Sequence, residues 1–274
     1  MSATRNCPSV PLSKKPLALV LIQVRYSPIA KIADFIPEIQ DMFRKNGYPV
    51  QTNPKIVTFE VGPEGIKQTE TAQWRFETPG KETVVLIDQG QILLQTTKYT
   101  SFELFFTEYL KLVSLVMAIT EHDEYGICTR LGLRYVDQIR KQTADDTIES
   151  YLRPELRGME CSEYADSRKQ YTLSTIGKTM LSPETNGTLA IRIIRGERGL
   201  DLPPDLLAAA PAGRTTVSPD EDIALIDMDH YWDGSLGPGF DEKRMEELFY
   251  RLHDTIIRGF HGSVVSEEGI EKWK

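Results

Sequence analysis

Cysteine is scarce in this chain: Cys7, Cys128 and Cys161 form no Cys-x-x-Cys pair, and their odd number leaves a thiol over. Neither a disulfide framework nor a zinc site is expected, and a reducing cytoplasm fits best. Long apolar runs are also missing. The longest near the start, residues 17–22, is too short to cross a bilayer, and residues 1–15 lack the order of a secretory signal, so a membrane role is not expected. Positive charge is in deficit, with 32 Lys and Arg against 40 Asp and Glu and a formal charge of −8. Binding nucleic acid mainly through phosphates needs a surface surplus of Lys and Arg, so that role is disfavoured, although a local basic stripe stays open.

Catalytic signatures are lacking as well. No P-loop, GxGxxG or GxSxG occurs, and His122, His253 and His261 have no HExxH-like or i, i+4 pairing. The reading therefore assigns no catalytic residue, no metal ligand and no cofactor. What is present is an ordinary globular composition of 274 residues, 40% hydrophobic and 26% charged, long enough to bury a sizeable core.

The organising stretch is Cys128-Thr129-Arg130-Leu131-Gly132-Leu133-Arg134-Tyr135-Val136-Asp137-Gln138-Ile139, because a shorter copy of its centre occurs near the N-terminus. Ile22-Gln23-Val24-Arg25-Tyr26 and Leu131-Gly132-Leu133-Arg134-Tyr135 both read apolar, any, apolar, Arg, Tyr. Each copy opens a similar run of elements. In the first, a strand over 17–26 precedes an amphipathic helix with Ile32, Phe35, Ile36, Ile39, Met42 and Phe43 at helical spacing, closed by Asn46-Gly47 and Pro49. Four strands follow, over 55–61, 72–77, 83–87 and 92–96, separated by Gly- and Pro-containing turns, and then a helix over 102–120 capped by Ser101.

The second pass predicts a strand over 127–139, a short helix over 145–152 stopped by Pro154, and strands over 169–176, 179–181, 189–194 and 223–232. Asn186-Gly187 is a strong hairpin turn, and the Pro- and Ala-rich stretch 196–222 reads as an inserted or mobile loop. Helices over 241–260 and 266–273 close the chain. The expected fold is α+β, with a duplicated β-α-β4-α unit forming a curved antiparallel sheet with helices on one side. By analogy this is TATA-binding-protein-like architecture, and fold alone gives no function. The expected organisation is an N-terminal arm (1–15), a first repeat (16–124), a second repeat (125–263) containing the inserted loop, and a tail helix (264–274).

Residues 15–28, Gln73-Trp74-Arg75-Phe76, Arg130 through Ile139 and the C-terminal Trp273 together resemble a family of roughly 250-residue prokaryotic proteins, sporadically distributed and of unknown function. The likeness spans nearly the whole chain, and Arg-Leu-Gly-Leu-Arg-Tyr is its most specific part. Asp137 stands where the resemblance implies Asn, a departure that bears on hydrogen bonding there. A patchy distribution implies mobile or defence-linked genes, such as toxin–antitoxin or anti-phage modules. The family supplies no catalytic residue to carry over.

Alternation along the two copies puts Gln23 and Arg25 on one strand face and Arg130, Arg134 and Gln138 on the corresponding face of the other. A pseudo-twofold pairing would bring Arg25 and Arg134 together near the sheet centre, where two guanidiniums suit a carboxylate, phosphate or acidic peptide. The default for each arginine is a salt bridge to one of the 40 internal acids. Asp227-Met228-Asp229-His230 directs at most two ligands to one side of a strand, so it reads as a strand face and not as a metal site. Trp74 and Phe76 share a face and read as core.

The function expected is non-enzymatic binding of a protein partner, such as one encoded by a neighbouring gene, with Arg25, Arg130, Arg134, Gln23 and Gln138 as the binding residues. A metal-dependent hydrolase or nuclease using Asp227 and Asp229 is the first alternative, and nucleic-acid binding on the concave sheet is the second. Self-association is left open.

Overall fold

The computed structural model describes residues 12, 14–53, 55–62, 65–158, 173–196, 200, 202–207, 209–214, 216–218 and 221–274, with the backbone alone for 55–62 and 65–71. In chain order the first half comprises β1 (Leu17–Tyr26), α1 (Ile32–Lys45), β2 (Val50–Thr52), β3 (Lys55–Gly62), β4 (Gly65–Ala72), β5 (Trp74–Glu77), β6 (Thr83–Asp88), β7 (Gln91–Thr96), α2 (Phe102–Ile119) and α3 (His122–Tyr125). The second comprises β8 (Cys128–Ile139), α4 (Ile148–Tyr151), β9 (Leu173–Ser182), β10 (Gly187–Gly196), α5 (Pro204–Leu207), β11 (Ala224–Asp233), α6 (Glu242–Gly259) and α7 (Glu267–Trp273).

The helices form where the apolar spacing and caps predict them. In α1 the buried residues are Ile32, Ile36, Ile39 and Phe43, one stripe of the helix. At its end the Asn46 amide donates to the Met42 carbonyl, and Gly47 takes a φ of 95°, which a residue without Cβ adopts at little cost. Ser101 accepts a hydrogen bond from the Leu104 amide at 3.3 Å and starts α2, while Asp241 and Ser266 cap α6 and α7 in the same way.

Nine strands make one open antiparallel sheet in the order β2-β5-β6-β7-β1-β8-β11-β10-β9. The two motif strands are its centre: β1 pairs with β8, with Gln23 opposite Gly132 and Arg25 opposite Arg130. On either side of this pair the neighbour is the last strand of the same half, β7 or β11, and earlier strands lie further out.

Two sequence expectations are corrected by the pairing. Residues 55–61 do not join the main sheet; β3 pairs only with β4, a strand that the sequence reading passed over because Ile66-Lys67-Gln68-Thr69-Glu70-Thr71 carries little apolar signal. The short β2 takes the outer place instead, against β5. Among the described residues the second meander has three strands and not four, because residues 173–176 of the first expected run and all of 179–181 are parts of one strand, β9, continuous through Gly177, while 169–172 lie outside the described residues.

The main core lies on one face of the sheet, where α1, α2 and α6 bury Phe43, Tyr109, Phe249 and Leu252 against Val20, Ile22, Leu131, Leu133 and Met228. At roughly 25 cal/mol per Å² of apolar surface, this burial is the main favourable contribution to stability. The opposite face carries a smaller core of Leu19, Leu21, Val136 and Leu225, covered by Leu202, Leu206 and Ala210 from the connection between β10 and β11. That connection thus lies across the sheet as a strap. Arg75 of β5 donates to the carbonyls of Ala209 (2.7 Å) and Ala210 (3.0 Å), and the Gly213 amide donates to the Lys81 carbonyl (2.9 Å).

Candidate functional site

The five arginines and glutamines expected to bind a ligand occupy three different places. Arg134 is buried beneath the strap and ion-paired twice. Its Nε and Nη2 donate to the two oxygens of Asp227 at 2.7 and 2.9 Å, and its Nη1 donates to Asp205 of α5 at 2.6 Å. Arg192 reaches the same Asp227 carboxylate at 2.7 Å. Burial alone would lower the Arg134 pKa, but the two carboxylates outweigh it and hold the guanidinium above its ordinary value. Burial likewise works against ionisation of Asp205, yet Arg134 keeps that carboxyl below the usual range. This is a bidentate, charge-assisted tie between sheet and strap.

Arg25 does not meet Arg134. The register sets Arg134 opposite Leu21, four strand positions from Arg25, a separation of roughly 13 Å along the strand. Arg25 lies opposite Arg130 instead, and among the described residues this exposed side chain has no hydrogen-bond or ion-pair partner. Arg130 donates to Asp233 at 3.2 Å and lies over the Tyr231 ring, 3.7 Å from its centroid; its Nε has no partner among the described residues. Gln23 donates to Gln91, which donates to Asp88, so these three polar groups line the same open end of the face. Gln138 lies at the other end, buried, accepting from Arg140 at 3.0 Å.

The Asp-Met-Asp-His run is split as its spacing predicts. Asp227 and Asp229 are on the strap side, while His230 is on the helix side, 3.1 Å from both the Thr185 hydroxyl and the Leu252 carbonyl. Burial raises the Asp229 pKa and lowers that of His230. Both oxygens of Asp227 are taken up by guanidinium groups, and among the described residues no three His, Cys, Asp or Glu side chains converge as metal ligands. Trp74 packs on the core and Phe76 is buried within it, stacked on Phe43 with centroids 4.6 Å apart.

A cavity of about 310 Å³ on the helix side was not foreseen. It lies between the start of the chain's described part, β8, the N-terminus of α2 and the end of α6, and Leu17, Ile256 and Phe260 supply apolar wall. Asp137 lines it, 6% exposed, with no hydrogen-bond or ion-pair partner among the described residues, and burial pushes its carboxyl up to about 7. Tyr99, Tyr135 and His253 form a hydrogen-bonded chain beside it, with Tyr99 Oη to Tyr135 Oη at 3.1 Å and Tyr135 Oη to His253 Nδ1 at 3.0 Å. Burial lowers the His253 pKa to about 4, so the ring is neutral, and it stacks on Phe102 with centroids 4.1 Å apart. Burial also pushes the Tyr99 hydroxyl up to about 12.

One sequence signal pointed at this cavity. Leu131, Leu133, Tyr135 and Ile139 alternate on the apolar face of β8, and the same parity puts an acid, Asp137, among them. Tyr99 and His253 had no such signal, because only the packing of α2 and α6 on β8 brings them to it. A second cavity, of about 950 Å³ between β9, β10 and α6, is lined by Ile176, Met180 and Ile191 together with Arg153, Glu155 and Lys178, and its Arg258 and Glu184 are already ion-paired. Among the described residues no helix is long and apolar enough to cross a membrane. Compared with protein-family models and with curated proteins, the sequence has no match.

Proposed function

We propose that this chain is a non-enzymatic binding protein: a duplicated α+β unit of TATA-binding-protein-like architecture that holds a protein partner at the open end of its strap-side sheet face. The single observation that carries this reading is Arg25, exposed and without a partner among the described residues, directly across from Arg130. Arg130 stacks on Tyr231, and Gln23 and Gln91 flank the pair. Arginine and tyrosine dominate the energetically important positions of protein interfaces, and a guanidinium spread over an aromatic ring loses little freedom on binding. Mirrored strand order about β1 and β8 supports the duplication.

On this reading the binding role belongs to a cytoplasmic toxin–antitoxin or anti-phage module whose partner is encoded next door, an assignment that rests on the resemblance to sporadically distributed prokaryotic proteins. The acidic balance favours a protein over nucleic acid as the partner. Affinity purification with the neighbouring gene product tests the reading. Arg25→Ala and Arg130→Ala should each weaken capture with the fold intact, whereas capture unchanged by both substitutions, or no partner at all, sinks it. A gel-shift series against salt tests the nucleic-acid alternative.

A further inference from the structure

The helix-side cavity carries chemistry that the partner-binding reading does not use. We infer that it is a binding site for a small organic cation, a molecule with a protonated amine head and a short apolar body, whose ammonium seats against Asp137. The inference rests on the cavity and its wall, independently of Arg25 and the opposite face.

An ionised carboxylate out of water is costly unless a cation or several donors complete it. Asp137 is nine-tenths or more buried, opens on the cavity and has neither a donor nor a cation among the described residues. Among the described residues Lys15 is the one lysine or arginine in the lining, and its Nζ donates to the Thr100 carbonyl at 3.0 Å. A cation from outside is therefore the complement that the described wall lacks.

The rest of the wall suits the same ligand. Tyr99 and Tyr135 meet edge to face with centroids 5.7 Å apart, and Phe260 and His261 do so at 5.3 Å, so aromatic rings stand on more than one side of the cavity. Aromatic faces attract ammonium groups, most strongly where water is excluded. Whichever way the Tyr99–Tyr135–His253 hydrogen bonds run, the Tyr99 oxygen keeps a lone pair for a ligand N–H. Leu17, Ile256 and Ile257 form an apolar floor for the body of the molecule, and about 310 Å³ suits a small ligand.

Hexylamine, with 1-hexanol as its neutral match in shape, tests the proposal by calorimetry on the full chain at about pH 8, where Asp137 is ionised. The expected result is hexylamine binding that is roughly tenfold or more tighter than 1-hexanol binding, and a roughly ten- to hundredfold loss in the near-isosteric Asp137→Asn variant. Arg25→Ala should leave hexylamine binding unchanged, which separates this site from the partner surface.

A second measurement needs no variant. The titratable and charged groups facing Asp137 across the cavity are Tyr99, Tyr135, His253, His261 and Lys15, with Glu103 and Asp254 acting on His253 through space. Burial shifts both histidines down and both tyrosines up, and Asp137, whose carboxyl burial pushes up to about 7, is the lining group that gains negative charge between about pH 5 and 8. Hexylamine affinity should rise over that range while 1-hexanol affinity stays flat. No hexylamine binding at millimolar concentration, equal binding of the two probes, a flat hexylamine profile, or undiminished binding to folded Asp137→Asn each overturns the proposal.

Discussion

Arg134 donates two parallel hydrogen bonds, 2.7 and 2.9 Å long, to the fully buried carboxylate of Asp227 on the neighbouring strand. This pair determines which of the motif arginines are structural. Arg134 is committed to Asp227 and to Asp205 of the strap, whereas its sequence counterpart, Arg25, has no partner among the described residues.

Truncating Arg134 leaves Asp227 buried with half of its partners. Arg134→Ala should therefore lower the unfolding free energy by about 3–5 kcal/mol, whereas the exposed Arg25→Ala should stay within about 0.5 kcal/mol. Urea denaturation of the two variants reads this directly, and equal losses would contradict the division of roles.

The stability of the protein should fall between mildly acidic and neutral pH because of Asp137. Its carboxyl titrates near 3.8 in an unfolded chain and about 7 in the fold, so across that window the native state holds a proton that the unfolded state has released. The loss is complete above the folded value. Asp137→Asn abolishes this contribution and should be more stable than the parent at about pH 8, by at most about 4 kcal/mol. Denaturation midpoints at about pH 5 and pH 8 would show a flatter profile for the variant.

The strap should loosen when its ties to β5 are cut. Arg75→Met keeps the side-chain stem, removes the hydrogen bonds to Ala209 and Ala210, and deprives buried Glu77 of its ion pair. A loss of about 1–3 kcal/mol follows. Limited proteolysis should then cut within residues 202–214 several times faster, while amides of α2 and α6 keep their exchange protection, since local opening costs less than global unfolding.

Two glycines in the sheet should respond oppositely to alanine. A Cβ on Gly187 would lie 2.4 Å from the Tyr231 carbonyl oxygen, so the β10 backbone has to move and about 1–3 kcal/mol is lost. On Gly132 the nearest atom would be Gln23 Oε1 at 3.6 Å, an ordinary contact, and Gly132→Ala should change stability by less than about 0.5 kcal/mol. Thermal unfolding of the pair checks this.

Much of the local structure was legible in the sequence. The apolar stripe of α1 and the Ser101 cap of α2 lie where short-range rules put them, and the hairpin signalled by Asn186-Gly187 forms as a turn over 183–186 with Gly187 already paired to Ser182, because helix periodicity and turn chemistry depend on residues a few positions apart. β3 was misplaced and β4 passed over, since strand propensity says that a segment is extended and not which neighbour it pairs with. The strand faces of Arg25, Gln23, Arg130, Arg134 and Gln138 were legible from alternation, but their grouping was not: Arg25 lies opposite Arg130, while Arg134 and Gln138 belong elsewhere along the same strand.

By itself the sequence determined that Ile22-Gln23-Val24-Arg25-Tyr26 and Leu131-Gly132-Leu133-Arg134-Tyr135 are matching strands, and which of their side chains point to the same face, because alternation is a property of the strand alone. Tertiary structure decided everything that depends on register and on what covers each face. A ladder centred on Gln23 and Gly132 sends Arg25 to Arg130 and Arg134 to the strap. The docking of α2 and α6 on β8 turns Asp137 from an anomaly of the apolar face into the floor of a cavity. Those outcomes are set by contacts between segments far apart in the chain, whose geometry only the folded sheet fixes.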